Sequence, residues 1–222
     1  MKEVNSYGWK AVIGSSIGYA MDGFDLLILG FMLTLISGDL GLTTGQAGSL
    51  VTWTLVGAVI GGFIFGTLSD KFGRVRVLTW TIVLFAVFTG LCAFAQGYWD
   101  LLIYRTIAGI GLGGEFGIGM ALAAEAWPAQ HRAKATSYVA IGWQLGVLAA
   151  ALLTPVLLPY IGWRGMFMVG IIPAFVAWFF RAKLHEPEIF VQSKEIKEHS
   201  HTNSFKLLVK DVRTTKTSIG VA

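Results

Sequence analysis

Apolar residues run along this chain in long blocks separated by short polar breaks. A helix needs about 20 mostly apolar residues to cross a bilayer. Windows of that kind lie near residues 11–37, 46–69, 77–96, 101–127, 135–160 and 164–182. The breaks carry turn chemistry or charge: Ser37-Gly38-Asp39-Leu40-Gly41, Asp70 to Arg76, Gln96-Gly97-Tyr98-Trp99-Asp100, Pro128 to Lys134, and Tyr160-Ile161-Gly162-Trp163. The pattern predicts an all-α membrane protein whose core is a six-helix transmembrane bundle over residues 11–182, preceded by a cytoplasmic N-terminus, residues 1–10. Residues 183–218 are rich in Lys, Glu, His, Ser and Thr and contain no spanning window. They read as a cytoplasmic linker, with a short amphipathic helix carried by Ile189, Phe190, Ser193, Ile196 and Lys197. Residues 219–222 read as the first residues of a truncated seventh helix.

Composition agrees. Of 222 residues, 55% are hydrophobic and 14% charged, against about a quarter charged in a soluble domain. Between residues 11 and 69 the only charged side chains are Asp22, Asp25 and Asp39. Lys2, Lys10, Lys71, Arg74, Arg76, Arg132, Lys134, Arg181 and Lys183 fall on one side of the predicted membrane and Arg164 on the other, so the first side is expected to be cytoplasmic. The net charge of +4 then needs no nucleic acid to explain it. The single Cys92 can form no internal disulfide. No small-residue cleavage site follows the first apolar block, so no secretory signal peptide is expected. His131, His185, His199 and His201 all lie outside the spanning windows. No metal site, cofactor or catalytic constellation is therefore expected at membrane depth.

The charges inside the windows carry the candidate chemistry. Arginine in a membrane helix costs at least ~2.5 kcal/mol and demands a partner. At about 1.5 Å per residue, Arg105 lies about 24 Å and Asp25 about 22 Å above the cytoplasmic end of their helices, at similar depth. Asp22 and Asp25, three residues apart, share a helix face around Gly23. They read as a protonatable pair, one member taking a coupling proton and the other pairing with Arg105; a permanent, purely structural Asp25–Arg105 pair is the alternative. Glu115 reads as a second proton site or a pathway-lining group, and Gln144, beside Trp143, as a hydrogen-bonding group for a polar ligand near the midplane. Trp53 and Tyr19 are weaker candidates for a cavity wall. Gly142 and Gly146 stand at helix-packing spacing.

The loop Gly66-Thr67-Leu68-Ser69-Asp70-Lys71-Phe72-Gly73-Arg74-Val75-Arg76 resembles the signature loop of the major facilitator superfamily at every fixed position. The stretch from Arg105 through Gly109, Gly111 and Gly113 resembles the family's fourth-helix pattern. A nucleotide-binding loop is excluded for it, because that fingerprint follows a strand and opens a soluble helix. The resemblance implies that Gly66, Asp70, Lys71, Gly73, Arg74 and Arg76 latch the cytoplasmic side, together with Glu125 and Arg132, both Arg74 and Arg132 being within reach of Glu125; a solvated helix-end charge is the alternative for Glu125. Asp22-Gly23-Phe24-Asp25, Gly113-Gly114-Glu115 and Ala124-Glu125-Ala126-Trp127-Pro128 resemble the metabolite, aromatic-acid and sialate proton symporters. A Gly-Pro-rich run of the drug-antiporter kind is missing from the fifth helix, where Pro155 and Pro159 come late.

The resemblance implies proton-coupled uptake of a small carboxylate across a bacterial inner membrane, with a sugar or sugar acid as the alternative substrate. It covers about residues 11–190 and matches only the N-terminal half of a twelve-helix carrier. A C-terminal six-helix half, covalent or separate, is the implied partner, and this chain alone is expected to be inactive. A six-helix scaffold or ligand sensor that moves nothing is the alternative from another class.

Overall fold

A computed structural model of the chain describes residues 6–181. The linker helix and the start of a seventh helix fall outside the described residues. Among the described residues the elements are α1 (Ser6–Leu40), α2 (Thr44–Phe72), α3 (Arg74–Cys92), α4 (Tyr98–Glu125), a 3-10 turn (Ala129–His131) and α5 (Arg132–Arg181). Each α-helix is long and apolar enough to cross a membrane.

The predicted six spans are present within these helices, because α5 is interrupted at Gly162, where φ is 63° and ψ 179°. That φ suits glycine and strains residues with a β-carbon. The limbs on either side, residues 132–161 and 163–181, correspond to the fifth and sixth windows. The start of the first span differs from expectation: α1 begins at Ser6 rather than near residue 11 and runs for 35 residues. At about 1.5 Å per residue this makes about 52 Å, well beyond a ~30 Å hydrocarbon core. Its early turns are held by packing, since the Trp127 indole N–H donates to the Gly8 carbonyl at 3.0 Å and Trp9 stacks edge-on against Trp127.

Local chemistry sets the other ends. Thr43 caps α2: its hydroxyl accepts from the Gln46 N–H while the Gln46 side chain accepts from the Thr43 N–H, so two orphan helix-end donors are satisfied. Gly73, with φ 113°, ends α2 and opens α3.

Packing is strongest along two seams, α1 with α5 and α2 with α4. Both are built on small residues. A methyl group at Gly142 would run into the Ser16 carbonyl, and one at Gly146 into that of Ala20. Across the second seam, Gly57 and Gly61 press on the backbone of Thr106 and Ile110, and Gly109 and Gly113 on that of Thr54 and Ala58. Gly111 faces Thr81 and Phe85 of α3 instead. In lipid, where apolar burial does not drive association, such close contact supplies the van der Waals energy that holds helices together.

The resulting bundle buries much of α1 and α4 and leaves apolar side chains of α2 and the first limb of α5 outward, among them Val59, Phe63, Leu145 and Leu152. A water-soluble protein would not present such a surface.

Candidate functional site

Arg105, Asp25, Asp22 and Glu115 are all buried. Arg105 on α4 forks onto Asp25 on α1: Nη1 donates to Oδ1 at 3.0 Å, and Nη2 lies 2.8 Å from Oδ2. Thr54 of α2 closes the third side, its Oγ1 accepting from Arg105 Nε at 3.4 Å while donating to the Leu50 carbonyl at 2.7 Å. The Phe167 ring of the second α5 limb stands 5.9 Å from the guanidinium carbon. Cys92 of α3, also buried, donates to the Phe88 carbonyl at 3.2 Å and interacts with Arg105. Every helix therefore contributes to the surroundings of this pair. The predicted partnership of Arg105 and Asp25 is present, and the depth argument leads to the right residues. Thr54, Cys92 and Phe167 carried no signal in the sequence beyond being small or apolar.

Toward the N-terminal end of α1 the same two helices form a second polar layer. Tyr19 donates its hydroxyl proton to the Phe116 carbonyl at 2.7 Å, and the charges of Asp22 and Glu115 both act on it. Asp22 and Asp25 thus belong to different layers rather than to one pair facing a common partner. A rise of about 4.5 Å along α1 suffices for this, because Asp25 reaches the guanidinium and Asp22 acts on Tyr19. Tyr19 itself is buried rather than on an open wall.

Gln144 is exposed on the first limb of α5. Trp143 beside it is partly buried; its carbonyl lies against Gly23 and its ring meets Phe116 edge-on with centroids 5.5 Å apart. Trp53 on α2 is exposed.

Where α2 meets α3, Arg74 is the centre of a cluster. Its Nη1 lies 2.9 Å from Asp70 and donates to Ser69 Oγ at 2.7 Å, while Nη2 and Nε reach Glu125 at 3.0 and 3.4 Å. Of the two cations expected near Glu125, the structure brings Arg74 and not Arg132. Lys71 rests over the Phe72 ring at 5.4 Å, Arg76 is exposed, and Gly66 has open space beside it among the described residues.

A cluster the sequence did not reveal closes the opposite end. Arg164 pairs with Asp39, its Nη2 donates to the Ala95 carbonyl at 3.1 Å, and its guanidinium stacks 4.1 Å from the Trp163 ring. Trp163 donates its indole N–H to the same Asp39 oxygen at 3.1 Å. The lone basic residue on that side was the available clue. Among the described residues no group of His, Cys, Asp and Glu is arranged to hold a metal ion.

The family model of the Major Facilitator Superfamily matches residues 15–221. The chain belongs to this superfamily. Its members are transporters rather than enzymes, and with its apolar helices the chain is an integral membrane protein. A Haemophilus influenzae protein named for metabolite transport is 75% identical over 99% of this chain and 55% of the relative. The sialic acid transporter NanX of Escherichia coli is 33% identical over 87% of this chain and 48% of its own length. The cis,cis-muconate transport protein of Acinetobacter baylyi is 33% identical over 95% and 52% respectively. Among solved structures, the partially occluded, inward-open xylose transporter XylE from E. coli superimposes with a TM-score of 0.77 at 24% identity, over 87% of this chain and 52% of that one. This likeness concerns the fold. The chain spans about half the length of the curated relatives it matches, and the bundle is consistent with the N-terminal half of such a carrier.

Proposed function

We propose that this chain forms one half of a proton-coupled carrier that takes up a small organic acid or related metabolite across the bacterial inner membrane by alternating access. Its N-terminus and residues 183–222 lie in the cytoplasm in this reading. The observation that carries it is the burial of three carboxylates and one guanidinium between α1 and α4, inside spans that lipid would otherwise keep apolar.

In this reading Asp22 takes the coupling proton, and Glu115, acting on the same tyrosine, is the second proton-carrying or pathway-lining group. Asp25 holds Arg105 until the two part, when the guanidinium becomes available to a substrate carboxylate. Gln144 donates hydrogen bonds to substrate. The Asp70–Arg74–Glu125 cluster latches the cytoplasmic side, and a C-terminal six-helix half, covalent or separate, covers the outward apolar faces of α2 and α5. Relatives named for sialic acid and muconate favour an acid; the xylose symporter fold keeps a sugar or sugar acid as the second reading.

Reconstitution in proteoliposomes, with and without a separately expressed C-terminal half, tests this. Labelled benzoate or cis,cis-muconate should exchange only when both halves are present, and an inside-alkaline pH gradient should accelerate uptake. Asp22→Asn should remove that acceleration while exchange persists. Exchange of xylose without either acid would transfer the assignment to sugars. Ligand binding without movement, with both halves assembled, would favour a sensor.

A further inference from the structure

Phe116 is 43% exposed although it lies well inside a membrane helix that is otherwise largely buried. Its surroundings differ from those of the outward-facing apolar residues. One side of the ring is tilted against Tyr19 at a centroid distance of 4.6 Å, and Trp143 meets it edge-on at 5.5 Å. Its own carbonyl receives the Tyr19 hydroxyl. Backbone and ring are therefore both fixed, leaving an open aromatic surface whose position is set by α1 and the first limb of α5.

The space beside it is empty. A β-carbon at Gly117 would meet nothing within 4 Å, whereas Gly113, one turn earlier, is pressed against α2. Phe116 and Gly117 thus form an open stretch of α4 beside Trp143 of the first α5 limb. Glu115, the preceding residue, is buried, and Gln144, next in sequence to Trp143, is exposed. By rise per residue, Phe116 is about 14 Å from the end of α4 at Glu125 and Gln144 about 18 Å from the start of α5 at Arg132, so the two lie at similar depth.

We propose that Phe116 is a specificity-determining platform: its exposed ring stacks on a planar, unsaturated carbon skeleton while the Gln144 amide donates to the polar end of the same molecule. The inference rests on the organic-acid reading and narrows it to flat acids over puckered, saturated ones. An aromatic ring rewards a flat partner through offset stacking in addition to buried area. A saturated ring of similar size buries comparable area without that term, and an aliphatic side chain at 116 treats the two alike.

Benzoate and cyclohexanecarboxylate differ in that single respect. In proteoliposomes holding the assembled carrier, each is titrated as a competitor of labelled benzoate exchange. The unsubstituted protein should show a half-inhibitory concentration about tenfold lower for benzoate, the preference an aromatic pair supports. Phe116→Leu should bring that ratio close to one, and Phe116→Tyr should keep it. Should the leucine variant fail to assemble, Phe116→Met, similar in volume but not planar, takes its place. A wild-type ratio retained in the leucine or methionine variant, with acid exchange intact, overturns the platform and leaves the organic-acid reading standing. Absence of exchange of either acid by the unsubstituted carrier overturns that reading, and the platform with it.

Discussion

Asp25 and Asp22 are three residues apart on one helix, yet they meet different neighbours. Asp25 and Arg105 neutralise one another, and every helix contributes a neighbour to the pair. Asp22 and Glu115 instead act on Tyr19, whose hydroxyl is held by the backbone of the exposed Phe116. A balanced, enclosed pair suits holding five helices in register. A tyrosine within reach of two acids suits taking up and releasing a proton. Similar burial can therefore serve two purposes, and the identity of the neighbouring side chains separates them.

The sharpest way to break this contrast is Asp25→Ala, which leaves the Arg105 guanidinium buried without its counter-charge. A cost of about 3–5 kcal/mol is expected, read as loss of monodisperse protein and a lowered Tm in detergent. The double replacement Asp25→Leu with Arg105→Met should restore much of that stability, since a well-packed apolar pair can match a buried ion pair. An unchanged Tm in the single variant would remove the structural role of the pair.

Next in size, Gly61→Ala puts a methyl group where the Ile110 backbone already lies, and about 1–3 kcal/mol of destabilisation is expected from overpacking. Gly66→Ala, with open space beside it among the described residues, is the control and should change Tm little.

Asp22→Asn should cost about 1 kcal/mol or less, the scale of one hydrogen bond, while abolishing the response of uptake to a pH gradient. Large destabilisation by Asp22→Asn would make the two layers alike and remove the contrast. Smallest of all, Arg164→Gln removes a half-exposed pair with Asp39. The loss should stay below about 1 kcal/mol, measured as a small Tm shift that shrinks further at high salt.

Much of the bundle is legible in the sequence because lipid imposes length and apolarity on every span. The Gly162-Trp163 turn and the Arg105–Asp25 match in depth follow from spacing, and the signature loop from its resemblance to the family pattern. What depends on rotation about a helix axis does not. Nothing in a linear reading separates Asp22 from Asp25, assigns Glu125 to Arg74 rather than Arg132, or sets Phe116 on Tyr19, because each requires knowing which neighbour a helix turns toward. Arg164 was visible as an exception to the charge bias, but counting charges by side says nothing of the Asp39 and Ala95 groups that receive it.

The break at Gly162 reaches further than its place at the rim suggests. It sets the heading of the following limb, and five residues on that limb delivers the Phe167 ring over the guanidinium. A β-carbon at position 162 would force a different exit angle and tip that aromatic lid. The insulation of a charge deep in the bilayer is in this sense governed remotely, by a hydrogen atom standing where other amino acids carry a side chain.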